Sequence, residues 1–379
     1  MKNVLLTVLV VCFALFRPSA GFSEEAKFVV ASPEIPKIQI AILLDTSNSM
    51  DGLIAQAKAQ LWEIVNDFIK VKQNGVTPTL EVALYQYGNT NLKREDYWIE
   101  RLTHLTTDLD LVSEKLFSLK TRGGEEYCGA VIRQAVKELE WSERRDDLRL
   151  IFIAGNEPFT QGPISYVDAC KEAVAKHIIV NTIHCGPEQE GIRTKWEDGA
   201  LMTDGKYLFI NQNQRVVNIP APQDKRLAEL NSELNKTYIP YGREGRVASF
   251  NQSAQDLNNS NLNAQAFNSR VATKASSNYR NSNWDLVDAS AEKGFDLSKV
   301  ETKTLPENMQ KMTDAERKAY VESQAEKRKE IQKEIAQLSA ERSKFIAEEQ
   351  SKTGKKDESL SAKALPAMRK QAIDAKFKY

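Results

Sequence analysis

The chain has 379 residues, more than one ordinary domain needs, which favours two folding units or one domain with an extended appendage. Lysine and arginine together number 52, as do aspartate and glutamate, so the formal net charge is +0. This balance removes the positive excess expected of a dedicated nucleic-acid-binding protein.

The amino end has the pattern of a secretory signal peptide. Lys2 precedes an apolar run at residues 4–16, and small residues follow at 19–21. An uncleaved membrane anchor is the alternative, but the run is shorter than the roughly 17 to 25 residues that a spanning helix needs. We therefore predict that residues 1–23 are a signal peptide and that the protein is exported, periplasmic or secreted. We expect no transmembrane helix in the mature chain.

Strand-like and helix-like patterns alternate over the first half of the chain. Runs typical of strands buried on both faces lie at residues 37–44, 80–87, 148–154, 178–184 and 207–210. Charges interrupt a further run at 98–105, which predicts an edge strand. Helical stripes lie between these runs. The alternation predicts a doubly wound, mainly parallel α/β domain over residues 36–222.

The end of the first predicted strand carries a group of oxygen ligands. Asp45, Ser47 and Ser49 stand in the sequence DTSNSM, directly after a buried strand and before an amphipathic helix. Ligands in open α/β sheets bind outside the carboxyl ends of the strands. Carboxylate and hydroxyl oxygens suit Mg²⁺, which leaves coordination positions open for a ligand. A helix-capping loop is the alternative interpretation.

At these residues the sequence resembles the von Willebrand factor type A domain, whose metal-ion-dependent adhesion site begins with DxSxS. The resemblance covers residues 37–219 approximately. It implies a Rossmann-like fold in which Ser47 and Ser49 bind Mg²⁺, or Mn²⁺ or Ca²⁺, directly and Asp45 acts mainly through water. It also implies an unknown protein partner that offers a carboxylate to the metal, and no nucleic acid.

The second and third loops depart from the family pattern. Family members usually add a threonine in a GGT setting, where this chain reads GGEEYCG; Glu125 occupies the matching position, with Thr121 a weaker candidate. Gly155 stands where the family's third loop has aspartate, which leaves Asn156 or Glu157 as substitutes. The resemblance therefore implies a metal site with altered ligands.

Three cysteines follow the predicted signal peptide: Cys128, Cys170 and Cys185. An odd number in an oxidising compartment allows one disulfide and a free thiol, or no pair. Cys128 opens the helix after the second loop, and Cys185 ends a strand at the same sheet edge. We predict a disulfide between these two residues, with buried free thiols as the alternative.

The carboxyl-terminal part has a different character. We predict a connecting helical segment at residues 223–245, a polar region of low order at 246–312 and a charged helical tail at 313–379. The tail could pack on its own domain or form a dimerising coiled coil, although Gln324, Arg328 and Arg342 fall on the seam. Because the apolar pattern thins after residue 222, we expect this part to be separable from the α/β core.

The residues supply binding chemistry but little catalytic chemistry. The sequence has no GxxxxGK[ST], GxSxG, HExxH or CxxC motif. Only Glu125, Glu126 and Glu157 are available as acids or bases beside the metal loop. We therefore expect a non-enzymatic, metal-assisted adhesion or scaffold module. A metal-dependent hydrolase is the alternative, because a metal beside carboxylates can activate water.

Overall fold

A computed structural model describes residues 35–211, 218–353 and 359–379. The predicted signal peptide at residues 1–23 lies outside the described residues. Within the described ranges, no helix combines the length and the apolar character that crossing a membrane requires.

The apolar runs that alternate with helices along the chain form a six-stranded sheet. The strands are β1 (Lys37–Asp45), β2 (Thr79–Tyr87), β3 (Ile99–Thr106), β4 (Leu148–Gly155), β5 (Ile179–Cys185) and β6 (Tyr207–Ile210). Their order is β3-β2-β1-β4-β5-β6, and every neighbouring pair is parallel except β2 and β3. The predicted mainly parallel α/β fold is confirmed, with the charged strand at an edge.

The helices in chain order are α1 (Asp51–Ile69), α2 (Leu109–Ser118), α3 (Cys128–Glu138), α4 (Tyr166–Ala175), α5 (Glu188–Arg193), α6 (Trp196–Leu201), α7 (Asp224–Asn235), α8 (Gly245–Leu262), α9 (Ala264–Lys274), α10 (Leu286–Ser290), α11 (Glu307–Gln310), α12 (Asp314–Thr353) and α13 (Leu360–Asp374). Single 3₁₀ turns lie at Asn48–Met50, Arg94–Asp96, Leu297–Lys299 and Thr302–Thr304.

Each face of the sheet carries its own apolar core, because side chains alternate between the faces along a strand. In β1, Ile40 and Leu44 pack on one face with α1, α2 and α13. Ala41 and Leu43 pack on the other face with α3 and α4. Strands that are apolar on both faces need both faces covered, and the helices on either side of the sheet cover them.

The strand order places a crevice at the carboxyl end of β1. Strand β2 pairs with one edge of β1, and β4 pairs with its other edge. The register sets Asp45 opposite Tyr87 of β2, and Leu44 opposite Ala154 of β4. The loops that follow these strands diverge here, and such a switch point is where open α/β sheets bind ligands.

The expectation of low order at residues 246–312 is wrong for its first part, where α8 and α9 form two packed helices. Many of their buried side chains are polar or charged and do not show as apolar periodicity. The Arg270 guanidinium donates to Asp110 of α2 and to Asp256 of α8, both at 2.6 Å. Lys274 donates to Asp256 at 2.8 Å. All of these side chains are buried, so the network binds the helical layer to the α/β layer.

The expectation that nothing after residue 222 contributes to the α/β core is also wrong. Leu360, Ala364 and Met368 of α13 belong to the same core cluster as α1 and β1. Farther along α13, Gln371 and Asn181 of β5 exchange side-chain amide hydrogen bonds of 2.7 and 3.1 Å. Contacts of this kind make Ile35–Tyr379 one compact unit.

The long helix α12 packs on its own chain through polar residues. Arg328 donates to Asp285 at 2.6 Å and to Asp288 at 2.8 Å. Arg342 donates to Asp224 at 2.6 Å. Two of the polar residues on the predicted seam thus bind carboxylates of their own chain, so the tail packs on its own domain.

Candidate metal and ligand site

Asp45 is the buried centre of the candidate site. Its side chain has no solvent exposure, and its Oδ1 accepts a hydrogen bond of 2.7 Å from the Ser47 backbone N–H. The other carboxylate oxygen, Oδ2, has no hydrogen-bond partner. A buried carboxylate oxygen without a donor is costly, so this atom identifies the place where a cation would fit.

The two predicted serines lie beside Asp45 and beside each other. The hydroxyls of Ser47 and Ser49 are 3.2 Å apart, and Ser49 donates to Asn156 Oδ1 at 3.3 Å. Neither the 3₁₀ turn nor α1 has a side-chain cap at its N-terminus. The capping interpretation of these residues therefore fails, and the hydroxyls are available for a ligand.

In the second loop the structure brings Glu126, not Glu125, to Asp45. Glu125 is exposed, and Gln161 donates to it at 3.2 Å. Glu126 is buried next to Ser47 and Asp45, which corrects the position that the family resemblance implied. Thr121, the weaker candidate, donates its hydroxyl hydrogen bond to Asp51 of α1.

Backbone contacts of the loop's glycines determine which glutamate turns inward. Gly123 N–H donates to Asn48 Oδ1 at 2.8 Å, and Thr90 N–H donates to Gly123 O at 2.9 Å. A Cβ atom on Gly124 would lie 2.4 Å from Gly88 O. The loop is thus held against the loops after β1 and β2. With this backbone path, the second residue after Gly124 faces Asp45.

The third loop places Asn156 and Glu157 at the rim of the site. Asn156 reaches the Ser49 hydroxyl, and Glu157 lies close enough to raise the pKa of Asp45 by charge repulsion. Trp196 anchors this loop by donating to the Glu157 carbonyl at 2.9 Å. At Gly155, where the family has aspartate, a Cβ would lie 2.6 Å from the Tyr87 hydroxyl, so no side chain fits there.

The site brings acidic groups together in a buried place. Burial, more than any other cause, raises the pKa of Asp45 to about 7. Burial, followed by repulsion from Asp45 and Glu157, raises the pKa of Glu126 to about 8. Carboxyl groups arranged this way resist ionisation until a cation neutralises them.

The donor set fits a hard cation only when the hydroxyls are counted. Among the described residues, no three Asp, Glu, His or Cys side chains form a metal-holding group. Asp45 and Glu126 with the hydroxyls of Ser47 and Ser49 give four oxygen donors of the kind that Mg²⁺, Mn²⁺ and Ca²⁺ accept.

The predicted disulfide between Cys128 and Cys185 is wrong, since Cys128, Cys170 and Cys185 are buried free thiols. Cys128 packs in the core that contains α3, and its Sγ lies 3.9 Å from the Tyr87 hydroxyl. Cys185 packs in the core on the opposite face of the sheet. The sheet itself separates the two sulfur atoms.

Comparison with known proteins finds likeness in structure and not in sequence. No protein-family model matches the chain, and no curated protein matches it. BatB from Bacteroides thetaiotaomicron is 16% identical, with a TM-score of 0.35, over 46% of this chain and 90% of that chain. The SpRpn10 VWA domain is 18% identical, with a TM-score of 0.34, over 46% of this chain and 87% of that chain.

A third similar structure is proximal thread matrix protein 1 from the mussel byssus, described with a zinc-occupied MIDAS motif. It is 11% identical, with a TM-score of 0.33, over 46% of this chain and 42% of that chain. The strand order and the position of the DTSNSM loop after β1 agree with the fold that the sequence resemblance to the von Willebrand factor type A domain implies.

Proposed function

We propose that the protein is an extracytoplasmic, metal-assisted protein-binding module. The observation that supports this most directly is the Asp45 Oδ2 atom, which is buried without a hydrogen-bond donor beside a second buried carboxyl group, Glu126. Export rests on the signal-peptide pattern at residues 1–23.

The roles follow from position. Asp45, Ser47, Ser49 and Glu126 would hold Mg²⁺, Mn²⁺ or Ca²⁺, and Asn156 and Glu157 form the rim that a partner meets first. The bound cation would accept an oxygen, such as a carboxylate oxygen, from the partner. The protein's own residues orient that contact by holding the loops after β1, β2 and β4 together.

Glu126 changes the strength of this contact. A threonine in the second loop would leave the charge of the metal intact, whereas a carboxylate offsets part of it. The attraction for an acidic partner is then weaker. We therefore expect binding that is reversible and sensitive to ionic strength.

Affinity capture from the native envelope, with and without a chelator, tests the proposal. The wild-type protein should retain a partner in Mg²⁺ and lose it in chelator, and the double variant Asp45→Ala/Ser47→Ala should not retain it. Capture that is identical in chelator, or turnover of generic ester or phosphate substrates with Mg²⁺, would contradict the proposed function.

A further inference from the structure

An open cleft lies between the start of α8 and the two 3₁₀ turns that precede α11. One wall is the segment that leads into α8, and the other wall is formed around the turns at Leu297–Lys299 and Thr302–Thr304. The cleft has a volume of about 830 Å³. Small-molecule sites usually enclose roughly 300–1,000 Å³, so its size suits a small ligand. The described residues that line it include none from the candidate metal site.

Backbone and core contacts fix both walls. On one side, Tyr241 N–H donates to Trp284 O at 2.8 Å, and the Tyr241 hydroxyl donates to Ser282 O at 2.7 Å. On the other side, Thr304 N–H donates to Glu301 O at 2.8 Å. Both walls also pack against the apolar cluster of α10, α11 and α12. The fold therefore determines the shape of the cleft.

Four cationic side chains and one carboxylate line the cleft. The cations are Arg243 and Arg246 on one wall and Lys299 and Lys303 on the other, and the carboxylate is Glu301. The whole chain has a formal net charge of +0, so this positive excess is local. A concave surface lined by one sign of charge concentrates its electric field and attracts ions of the opposite sign.

The acidic neighbours reduce this charge without cancelling it. Glu244 follows Arg243 in the chain and is exposed, and Asp296 lies just before the first turn, but neither lines the cleft. When both are counted with Glu301, the four cations still exceed the carboxylates by one. The carboxylates also lie at the margin, whereas the cations face the space between the walls.

The two arginines are available to a ligand. Among the residues that the structure describes, neither Arg243 nor Arg246 forms an ion pair, and both are exposed. The lysines have partners: Lys299 lies 3.5 Å from Asp296, and Lys303 lies 3.2 Å from the carboxylate of the cleft. These pairs are exposed and therefore weak, so an anion in the cleft can compete with them.

The arrangement of the cations indicates the chemistry of the ligand. A guanidinium group donates two parallel hydrogen bonds to the oxygens of a phosphate. Two such groups on one wall, with two ammonium groups opposite, suit an anion whose oxygens point in several directions. A phosphate has that shape, whereas a carboxylate is planar. Because the cations line a concave space, a small soluble molecule reaches them more readily than a flat bilayer surface does.

We propose that this basic cleft binds a small soluble molecule that carries two or more phosphate charges. Arg243 and Arg246 bind the phosphate oxygens, and Lys299 and Lys303 supply positive charge from the opposite wall. The half-buried ring of Tyr241 gives the body of the ligand an apolar surface. This binding goes beyond the proposed metal-assisted contact and does not depend on it.

Isothermal titration of the metal-free full chain with pyrophosphate tests the proposal. The wild type should bind it saturably, and Arg243→Gln/Arg246→Gln should bind at least about tenfold more weakly, because charge-assisted hydrogen bonds are lost. Lys171→Gln/Lys344→Gln is the matched control, since it removes two exposed cations from α4 and α12 and changes the net charge equally. It should bind as the wild type does. No saturable binding by the wild type, or equal affinities for the two double variants, would overturn the proposal.

Two further arms identify where and in what form the phosphate binds. Asp45→Ala/Ser47→Ala should bind pyrophosphate as the wild type does, so that failure of the metal site leaves this result unchanged. Loss of binding in that variant would place the anion at the metal site and overturn the proposal. Vesicles of phosphatidylglycerol and phosphatidylcholine should not retain the protein on sedimentation. Retention by these vesicles without pyrophosphate binding would overturn the assignment of a soluble ligand.

Discussion

Asp45 and Glu126 face each other across Gly88, and both side chains are buried. A Cβ atom on Gly88 would lie 3.0 Å from Asp45 Oδ1 and 2.7 Å from Glu126 Cγ. The φ of +75° at Gly88 also favours glycine. The absence of a side chain at this position lets two carboxyl groups converge. Burial, and then repulsion from Asp45, raise the pKa of Glu126 as a result.

Glu126 should matter for metal binding, and its neighbour Glu125 should not. Glu126→Gln removes a buried carboxylate beside Asp45 and should lower Mn²⁺ affinity at least tenfold. Glu125→Gln is the matched control, because this side chain is exposed. Isothermal titration with both variants measures the difference. Equal losses, or a loss only with Glu125→Gln, would show that the second loop is oriented otherwise.

The stability of the metal-free protein should fall as pH rises from about 5 to about 8. The pKa values of Asp45 and Glu126 are raised to about 7 and about 8, so in this range the folded state binds more protons than the unfolded state. Stability then decreases with pH until both groups have ionised.

Thermal melting in chelator measures this slope. Asp45→Asn should reduce it, and Mg²⁺ should raise the melting temperature of the wild type more at pH 8 than at pH 5, because protons compete with the metal. An Asp45→Asn variant whose melting temperature has the same pH dependence as the wild type would remove this interpretation of the carboxyl pair.

Removing one member of the buried ion network should destabilise the fold strongly. Lys274→Met removes one of the two cations that bind Asp256 and leaves Asn231 and Asn235 without its ammonium donor. Burial alone would raise the pKa of Asp256, but Lys274 and Arg270 outweigh it and lower that pKa. Removing one partner of a buried pair typically costs about 3–5 kcal/mol.

Urea unfolding of Lys274→Met measures this cost. Arg226→Met is the control, because Arg226 bonds Glu334 and Glu233 on the surface, where such pairs contribute about 0–1 kcal/mol. Similar midpoints for the two variants would mean that the network does not hold the helical layer in place.

Deleting α13 should prevent cooperative folding. A chain that ends at residue 353 lacks Leu360, Ala364 and Met368, and the sheet face they cover would be exposed. We expect aggregation, or a broad melting transition by circular dichroism. A truncated chain that melts as sharply as the full chain would show that α13 is dispensable for the core.

The strands were predictable because their signal is local. Residues 37–44 and 148–154 are apolar on both faces, and the structure extends each by a single residue, to Asp45 and to Gly155. The loop after β1 was predictable for the same reason, since a carboxylate and two hydroxyls follow a buried strand directly.

The parts that sequence reasoning missed depend on distant partners. Glu126 faces inward because of backbone contacts between its loop and Gly88, which no spacing reveals. Gln255 of α8 is buried against Ser113, and Arg270 of α9 against Asp110, each more than a hundred residues earlier in the chain. In α13 the apolar spacing was present in the sequence, but nothing local indicated which surface it would cover.

Titration of the protein with Mg²⁺ and Mn²⁺ tests the central claim most directly. The account predicts saturable binding by the wild type and none by Asp45→Ala/Ser47→Ala. The double variant should melt as sharply as the wild type, because both side chains stand at the crevice and not in either apolar core. Unchanged metal affinity in a folded double variant would contradict the account.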